Sequence, residues 1–177
     1  MSEKLSQPSS IGELRAKSLQ KGYLEWIGIS ASRRAEIQSV AEVQLEEGTG
    51  LAGDHHATAG ESERQVTLIQ KEHLPVIAAL LGREGEISPQ LARRNLVVSK
   101  ISVLSLKDQK FRIGGAVLEG SGHCHPCSQM EETLGTGGYN AMRGHGGITA
   151  RVIVGDVIQI GDAVELLAES TDAQSPA

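Results

Sequence analysis

Aromatic side chains are almost missing from this chain: one Trp, two Tyr and one Phe make up 2% of its 177 residues. That scarcity removes the stacking platforms on which single-stranded nucleic acids are held. An excess of positive charge is missing too, since 17 Lys and Arg stand against 22 Asp and Glu, for a formal net charge of -5. The electrostatic footprint of a general nucleic-acid binder is therefore absent. No stretch approaches the roughly 18 consecutive apolar residues of a membrane-spanning helix. Met1 to Ser10 is polar and lacks the charged start, apolar run and small-residue cleavage site of an export signal, so a cytoplasmic protein is expected. With two cysteines there is no disulfide framework, and reduced thiols are expected.

What is present is glycine, 21 residues against 5 prolines, punctuating short β-branched runs. That rhythm predicts a mainly β chain of barrel type with a few short helices. The clearest stretch is Ile148 to Leu166, where Ala150–Val154, Val157–Ile160 and Ala163–Leu166 are separated by the turns Gly155-Asp156 and Gly161-Asp162. Further strands are predicted at Gly22–Ser30, Ile37–Leu45, Gln65–Ile69, Asn95–Val98, Lys110–Ile113 and Ala116–Gly120. Apolar spacing predicts a helix over Gln70–Leu81, with Pro75 in its early part. Ser88-Pro89 reads as a cap followed by proline at the first helical position, opening a short turn to Arg93. A third helix is predicted over Cys127–Leu134, with Ser128 and Glu131 as a capping box. One domain is expected over residues 22–167, between polar and flexible segments at 1–21 and 168–177.

Both cysteines lie in His123-Cys124-His125-Pro126-Cys127. A soft, ionisable thiol among imidazoles, after a proline and at a helix start, suits metal capture or sulfur chemistry. CxxC spacing alone leaves a dithiol redox pair, half of a zinc site or a single functional thiol. A structural zinc held by Cys124, Cys127 and His123, His125 or His145 stays open. His55 and His56 follow Gly53-Asp54 in a glycine-rich loop, where adjacent histidines usually include a solvated bystander. His145 sits in Arg143-Gly144-His145-Gly146-Gly147, where sparse side chains let the backbone approach a ligand while the side chains of Arg143 and His145 reach it. Arg64, Arg93, Arg94 and Arg151 stand at strand ends, and Asn95 beside them adds an amide; such forks suit a phosphate or other oxyanion. In the dipeptide Arg93-Arg94, one side chain is expected to face water.

The succession Gly50-Leu51-Ala52-Gly53-Asp54, Arg64-Gln65-Val66-Thr67-Leu68, Arg93-Arg94-Asn95-Leu96, Pro126-Cys127, Gly147-Ile148-Thr149-Ala150-Arg151-Val152 and Gly161-Asp162-Ala163-Val164 resembles the MOSC family, the domain named for the C-terminus of molybdenum cofactor sulfurases, in its small stand-alone bacterial form. The resemblance covers roughly residues 22 to 166 and rests on the order of the pieces. It implies a β-barrel-like mixed fold, the molybdenum cofactor, and Cys127 as metal ligand or sulfur carrier. It also implies polar contacts to the cofactor from Arg64, Arg93, Asn95 and Arg151. Relatives act in the reduction of small N-hydroxylated compounds, which needs a redox partner, or in sulfur transfer beside a pyridoxal-phosphate desulfurase. No desulfurase domain fits in this chain, so it would be a separate partner.

Overall fold

Strand periodicity sets the architecture, because alternate residues of the β-runs turn inward and close a ring around a hydrocarbon interior. The computed structural model describes residues 10–15, 17, 20–58 and 62–167. In chain order the first half holds α1 (Ile11–Arg15), β1 (Gly22–Ile29), β2 (Gln38–Val40), β3 (Glu42–Glu46), β4 (Gly50–Leu51), β5 (Val66–Gln70), α2 (His73–Leu80) and α3 (Pro89–Ala92). The second holds β6 (Leu96–Ser99), β7 (Lys110–Ile113), β8 (Ala116–His123), α4 (Ser128–Leu134), α5 (Gly138–Met142), β9 (Ile148–Val154), β10 (Val157–Gln159) and β11 (Ala163–Leu166).

Seven strands form a mixed barrel in the order β1, β11, β7, β8, β9, β5, β6 and back to β1. Closure removes free sheet edges, the standard hazard of an all-β chain. The seam is short: β1 meets β11 only at Gly22 and Tyr23, and its Ile27–Ile29 pair with β2 instead. β5 and β6 pair in parallel, Leu68 beside Leu96, with α2 and α3 in the crossover between them. β10, β3 and β4 make a small separate sheet.

The interior is filled by Leu24, Ile27, Leu68, Leu96, Phe111, Ile113 and their neighbours. A second core lies outside the ring, where Ile69 and Val97, one residue out of phase with Leu68 and Leu96, meet Leu74, Ile77, Met130, Leu134 and Met142 of the helices. Both faces of β5 and β6 are thus covered, as expected of a parallel pair, so neither alternates polar with apolar.

The mainly β reading with short helices holds, and four differences have physical causes. The run Ile37–Leu45 is two strands, because β2 pairs with β1 while β3 pairs with β10. The second helix starts at His73 and not Gln70, because Gln70 still pairs with Val98 at the end of β5. Cys127, with extended backbone, caps α4 in place of Ser128, and the Glu131 carboxylate accepts hydrogen bonds from the amides of Gly137 (2.8 Å) and Tyr139 (2.9 Å) beside α5. Within the segment expected to be irregular, Ile11–Arg15 is helical. The expectations for residues 1–9 and 168–177 lie outside the described residues. No helix among the described residues is long and apolar enough to cross a membrane.

Candidate functional site

Parallel pairing puts the starts of β5 and β6 at one rim of the barrel, so Arg64 and the Arg93–Asn95 segment come together despite their separation in sequence. β1 runs antiparallel to β6 and delivers the loop that begins at Ser30 to the same rim. The loop after β4 adds Asp54, His55 and His56, and the start of α4 adds Cys127. These segments enclose a cleft of about 290 Å³. Its charged lining is lopsided for an acidic chain: five arginines, at 33, 34, 64, 93 and 94, and one carboxylate, Asp54.

Cys127 is exposed on this cleft, whereas Cys124 is buried, 2% accessible, and lines a separate cavity of about 130 Å³ behind the same loop. The Cys124 amide donates to the Gly147 carbonyl at 2.9 Å, which fixes the loop against β9. His123 and His125 stand with ring centroids 5.7 Å apart, but among the described residues no trio of ligand atoms gathers around the thiols. The zinc site drawn from Cys124, Cys127 and the histidines is therefore not built. Among the described residues, the one group of three with ligand atoms close together is Asp54, His55 and His56.

Arg94 is the most deeply placed cation. It is 3% accessible and donates from Nε to the Gly146 carbonyl (2.8 Å) and from its terminal nitrogens to the carbonyls of Ala92 (3.0 Å) and Cys124 (3.2 Å). Burial works against its charge, the nearby Cys124 and Cys127 sulfurs favour it, and Arg64 opposes it. No carboxylate among the described residues pairs with it. Arg93, in the left-handed region at φ 52°, clamps the Ala35 carbonyl with both terminal nitrogens at 3.1 Å. Neither member of the Arg93-Arg94 pair is exposed, contrary to the expectation that one faces water. Arg34 pairs with Glu132 at 3.5 Å on the surface. The side chains of Arg33 and Arg64 meet no partner among the described residues, which leaves two free guanidinium forks at the mouth.

Asn95 lines the cleft, but its amide is committed inward. Its oxygen accepts from the Thr67 amide (3.0 Å) and hydroxyl (2.9 Å), and its nitrogen donates to the Gly28 carbonyl (3.2 Å) and Asp54 Oδ2 (3.0 Å). It ties three segments of the rim together. Asp54 is likewise buried: Oδ2 also accepts from the Ser30 amide (2.9 Å), and Oδ1 from the amide (3.0 Å) and Nδ1 (2.8 Å) of His56. Burial alone would raise the Asp54 pKa; the hydrogen bonds and charge of His56, with the Ser30 amide, outweigh it and hold the carboxyl below its ordinary value.

Three residues expected at the site lie elsewhere. Arg151 faces a different groove, paired with Glu63 (3.2 Å) and Glu119 (2.9 Å), because its position on β9 points it out of the ring beside β8. His145 packs edge-on against His73, ring centroids 5.0 Å apart, with Nδ1 of both buried and without a hydrogen-bond partner. Burial, then the charge of His145, lowers the His73 pKa. Arg143 is exposed at the end of α5, away from the cleft. Sequence reasoning missed Ser30, Arg33 and Arg34; a dibasic pair directly after a strand, in an acidic chain, was the available signal.

A family model described as the MOSC domain matches residues 53–165. Among solved structures, the YUAD protein from Bacillus subtilis superposes with a TM-score of 0.70 at 20% identity, over 82% of this chain and 95% of that one. YiiM from Geobacillus stearothermophilus gives 0.68 at 17% identity, over 87% and 79%. YiiM from Escherichia coli gives 0.63 at 18%, over 85% and 72%. No curated protein matches the chain. At these identities the structural likeness carries the fold alone.

Proposed function

This chain belongs to the MOSC domain family, and on that premise we propose that its cleft holds a molybdenum cofactor of the molybdopterin type and reduces small N-hydroxylated compounds. The observation that carries the reading is an exposed thiol, Cys127, on a cleft lined by five arginines and one carboxylate that is already engaged. Molybdenum is soft enough to take a thiolate, and the phosphate of the cofactor calls for planar cationic forks. The donor set fits: Cys127 as metal ligand, Arg33 and Arg64 free to pair with the phosphate, and Arg93 holding the loop that carries Arg33. Asn95 supports the rim and contacts no ligand of its own. Arg94 places a buried positive charge between the Cys124 and Gly146 carbonyls, close to the thiols. When bound, the cofactor supplies the metal at which electrons from a redox partner reach the substrate.

Protein produced in a cofactor-competent host is expected to carry molybdenum near one per chain, and Cys127→Ala to lose it. Metal analysis that finds none in the unaltered protein refutes the proposal. A second reading is favoured by the exposure of Cys127: the thiol accepts sulfur as a persulfide from a pyridoxal-phosphate desulfurase acting as a partner and passes it on. Intact-mass measurement after incubation with such an enzyme and cysteine would show one added sulfur on Cys127. An adduct confined to Cys124 rules this reading out. A cytoplasmic setting, where thiols stay reduced, belongs to both readings.

A further inference from the structure

We infer that Asp54 and His56 form a carboxylate–imidazole pair that supplies the proton for the reaction in the cleft, His56 as general acid and Asp54 as the residue that positions it. The inference rests on reading the cleft as a reductase site for N-hydroxylated compounds. Reduction of R–NHOH takes two electrons and two protons and gives R–NH2 and water. As the N–O bond breaks, its electron pair goes to oxygen, which leaves easily only if a proton reaches it. The two electrons come from two equivalents of an external one-electron carrier, reduced methyl viologen added in the test below; His56 gives one proton and solvent water the other.

Few groups on the cleft can give that proton. Guanidinium groups do not release theirs. Asp54 is held ionised and accepts hydrogen bonds at both oxygens. Cys127 is assigned to the metal. His55 turns Nδ1 toward the Ser30 carbonyl at 3.1 Å and stands 3.5 Å from Asp54. His125 is exposed and has no carboxylate partner among the described residues. His56 differs from both: its Nδ1 lies 2.8 Å from Asp54 Oδ1, and its own amide donates to the same oxygen at 3.0 Å. Because Asp54 only accepts, Nδ1 must carry hydrogen, which leaves Nε2 as the atom that binds and releases a proton. The ring is 26% accessible, so Nε2 can meet a small molecule in the cleft.

His56 shares the cleft with one carboxylate, Asp54, with five guanidinium groups and with the imidazoles of His55 and His125. The same trio of Asp54, His55 and His56 has ligand atoms within 4.8 Å of one another and could be read as a cation site. Five guanidinium groups repel a dication, and both Asp54 oxygens are occupied, so the proton role is the stronger reading.

The test compares the unaltered protein with His56→Gln and Asp54→Asn, all loaded in a cofactor-competent host, using phenylhydroxylamine as substrate. His56→Gln is expected to keep its molybdenum and lose about 10²- to 10⁴-fold in kcat. The alkaline limb of the pH–activity profile of the unaltered protein should vanish in the variant. In the apo protein, nitrogen NMR should show His56 with hydrogen on Nδ1 and a bare Nε2, a tautomer that Asp54→Asn disturbs. Unchanged kcat or an unchanged pH limb in molybdenum-loaded His56→Gln, or a bare Nδ1, overturns the inference and leaves the cofactor reading standing. Unaltered protein that holds no molybdenum, or holds it and leaves phenylhydroxylamine intact, overturns the reductase reading and this inference with it. One zinc bound per apo chain and lost in His56→Gln would reassign the trio to a metal.

Discussion

Replacing Asn95 with leucine separates a residue that builds the rim from one that contacts a ligand. The Asn95 amide makes four hydrogen bonds, to the Thr67 amide and hydroxyl, the Gly28 carbonyl and Asp54 Oδ2, and the residue is 5% accessible. Leucine keeps the branching at Cγ with somewhat greater bulk and leaves the Thr67 N–H and the Gly28 carbonyl buried without these partners. Asp54 keeps the Ser30 amide, and the Thr67 hydroxyl keeps the Asn95 main-chain N–H. Two orphaned backbone groups at about 1–3 kcal/mol each sum to about 4 kcal/mol. That is a large part of the roughly 5–15 kcal/mol that holds a domain together. For a chain of this size it corresponds to a fall in Tm of about 8–16 °C. Thermal unfolding followed by circular dichroism in the apo protein measures it without any cofactor. A fall of less than about 3 °C in Asn95→Leu, accompanied by loss of molybdenum, would return Asn95 to the ligand-binding set and refute the reasoning.

Arg151→Ala should keep full molybdenum content and change stability by no more than about 1 kcal/mol, because its ion pairs with Glu63 and Glu119 are solvent-exposed; metal loss would place Arg151 at the site after all. Gly147→Ala puts a Cβ 1.8 Å from the Leu68 carbonyl at a residue with φ 80°, so a loss above about 4 kcal/mol, or no soluble protein, is expected; a near-normal melting curve contradicts the close packing of β9 on β5. Burial favours neutral His73, so its contribution is complete above pH 6.5 and declines as pH falls below that value. Urea midpoints should drop below pH 6.5 in the unaltered protein and drop less steeply in His73→Leu; parallel slopes would count against it. Asp54 acts lower: its depressed pKa adds stability above about pH 3.8 that is lost as acid titrates the folded carboxyl. Asp54→Asn should flatten that acid limb, and an unaltered limb would show that the carboxylate is not held by its neighbours.

The strands of the barrel could be read from glycine spacing and β-branched runs because those signals are local. Lys110–Ile113 and Ala163–Leu166 match the structure to the residue. The break at Ala41 could not be read, since Ile37, Ala41, Val43 and Leu45 keep one alternating phase across it and the two halves differ in their pairing partners. That Cys127 and Arg64 line one cleft was foreshadowed because a lone thiol cluster and arginines before strands are themselves unusual. Arg151 was misplaced because a residue's position in a motif says nothing of which way a strand presents it. His145 was drawn in by the glycines around it, which pack the loop on β5 and leave the ring against His73. The Asp54 hub could not be foreseen, because its partners Ser30 and Asn95 lie 24 and 41 residues away along the chain.

The ring closes late along the chain. The last side chain that lines the cleft is Met130, yet β9, which flanks β5, begins at Ile148, and β11, which completes the circuit at Gly22 and Tyr23, begins at Ala163. A ribosome therefore makes the Cys127 thiol and all five arginines before the strands β9 and β11 that close the ring. Whatever the finished cleft holds can be enclosed only after β9 and β11 have been made.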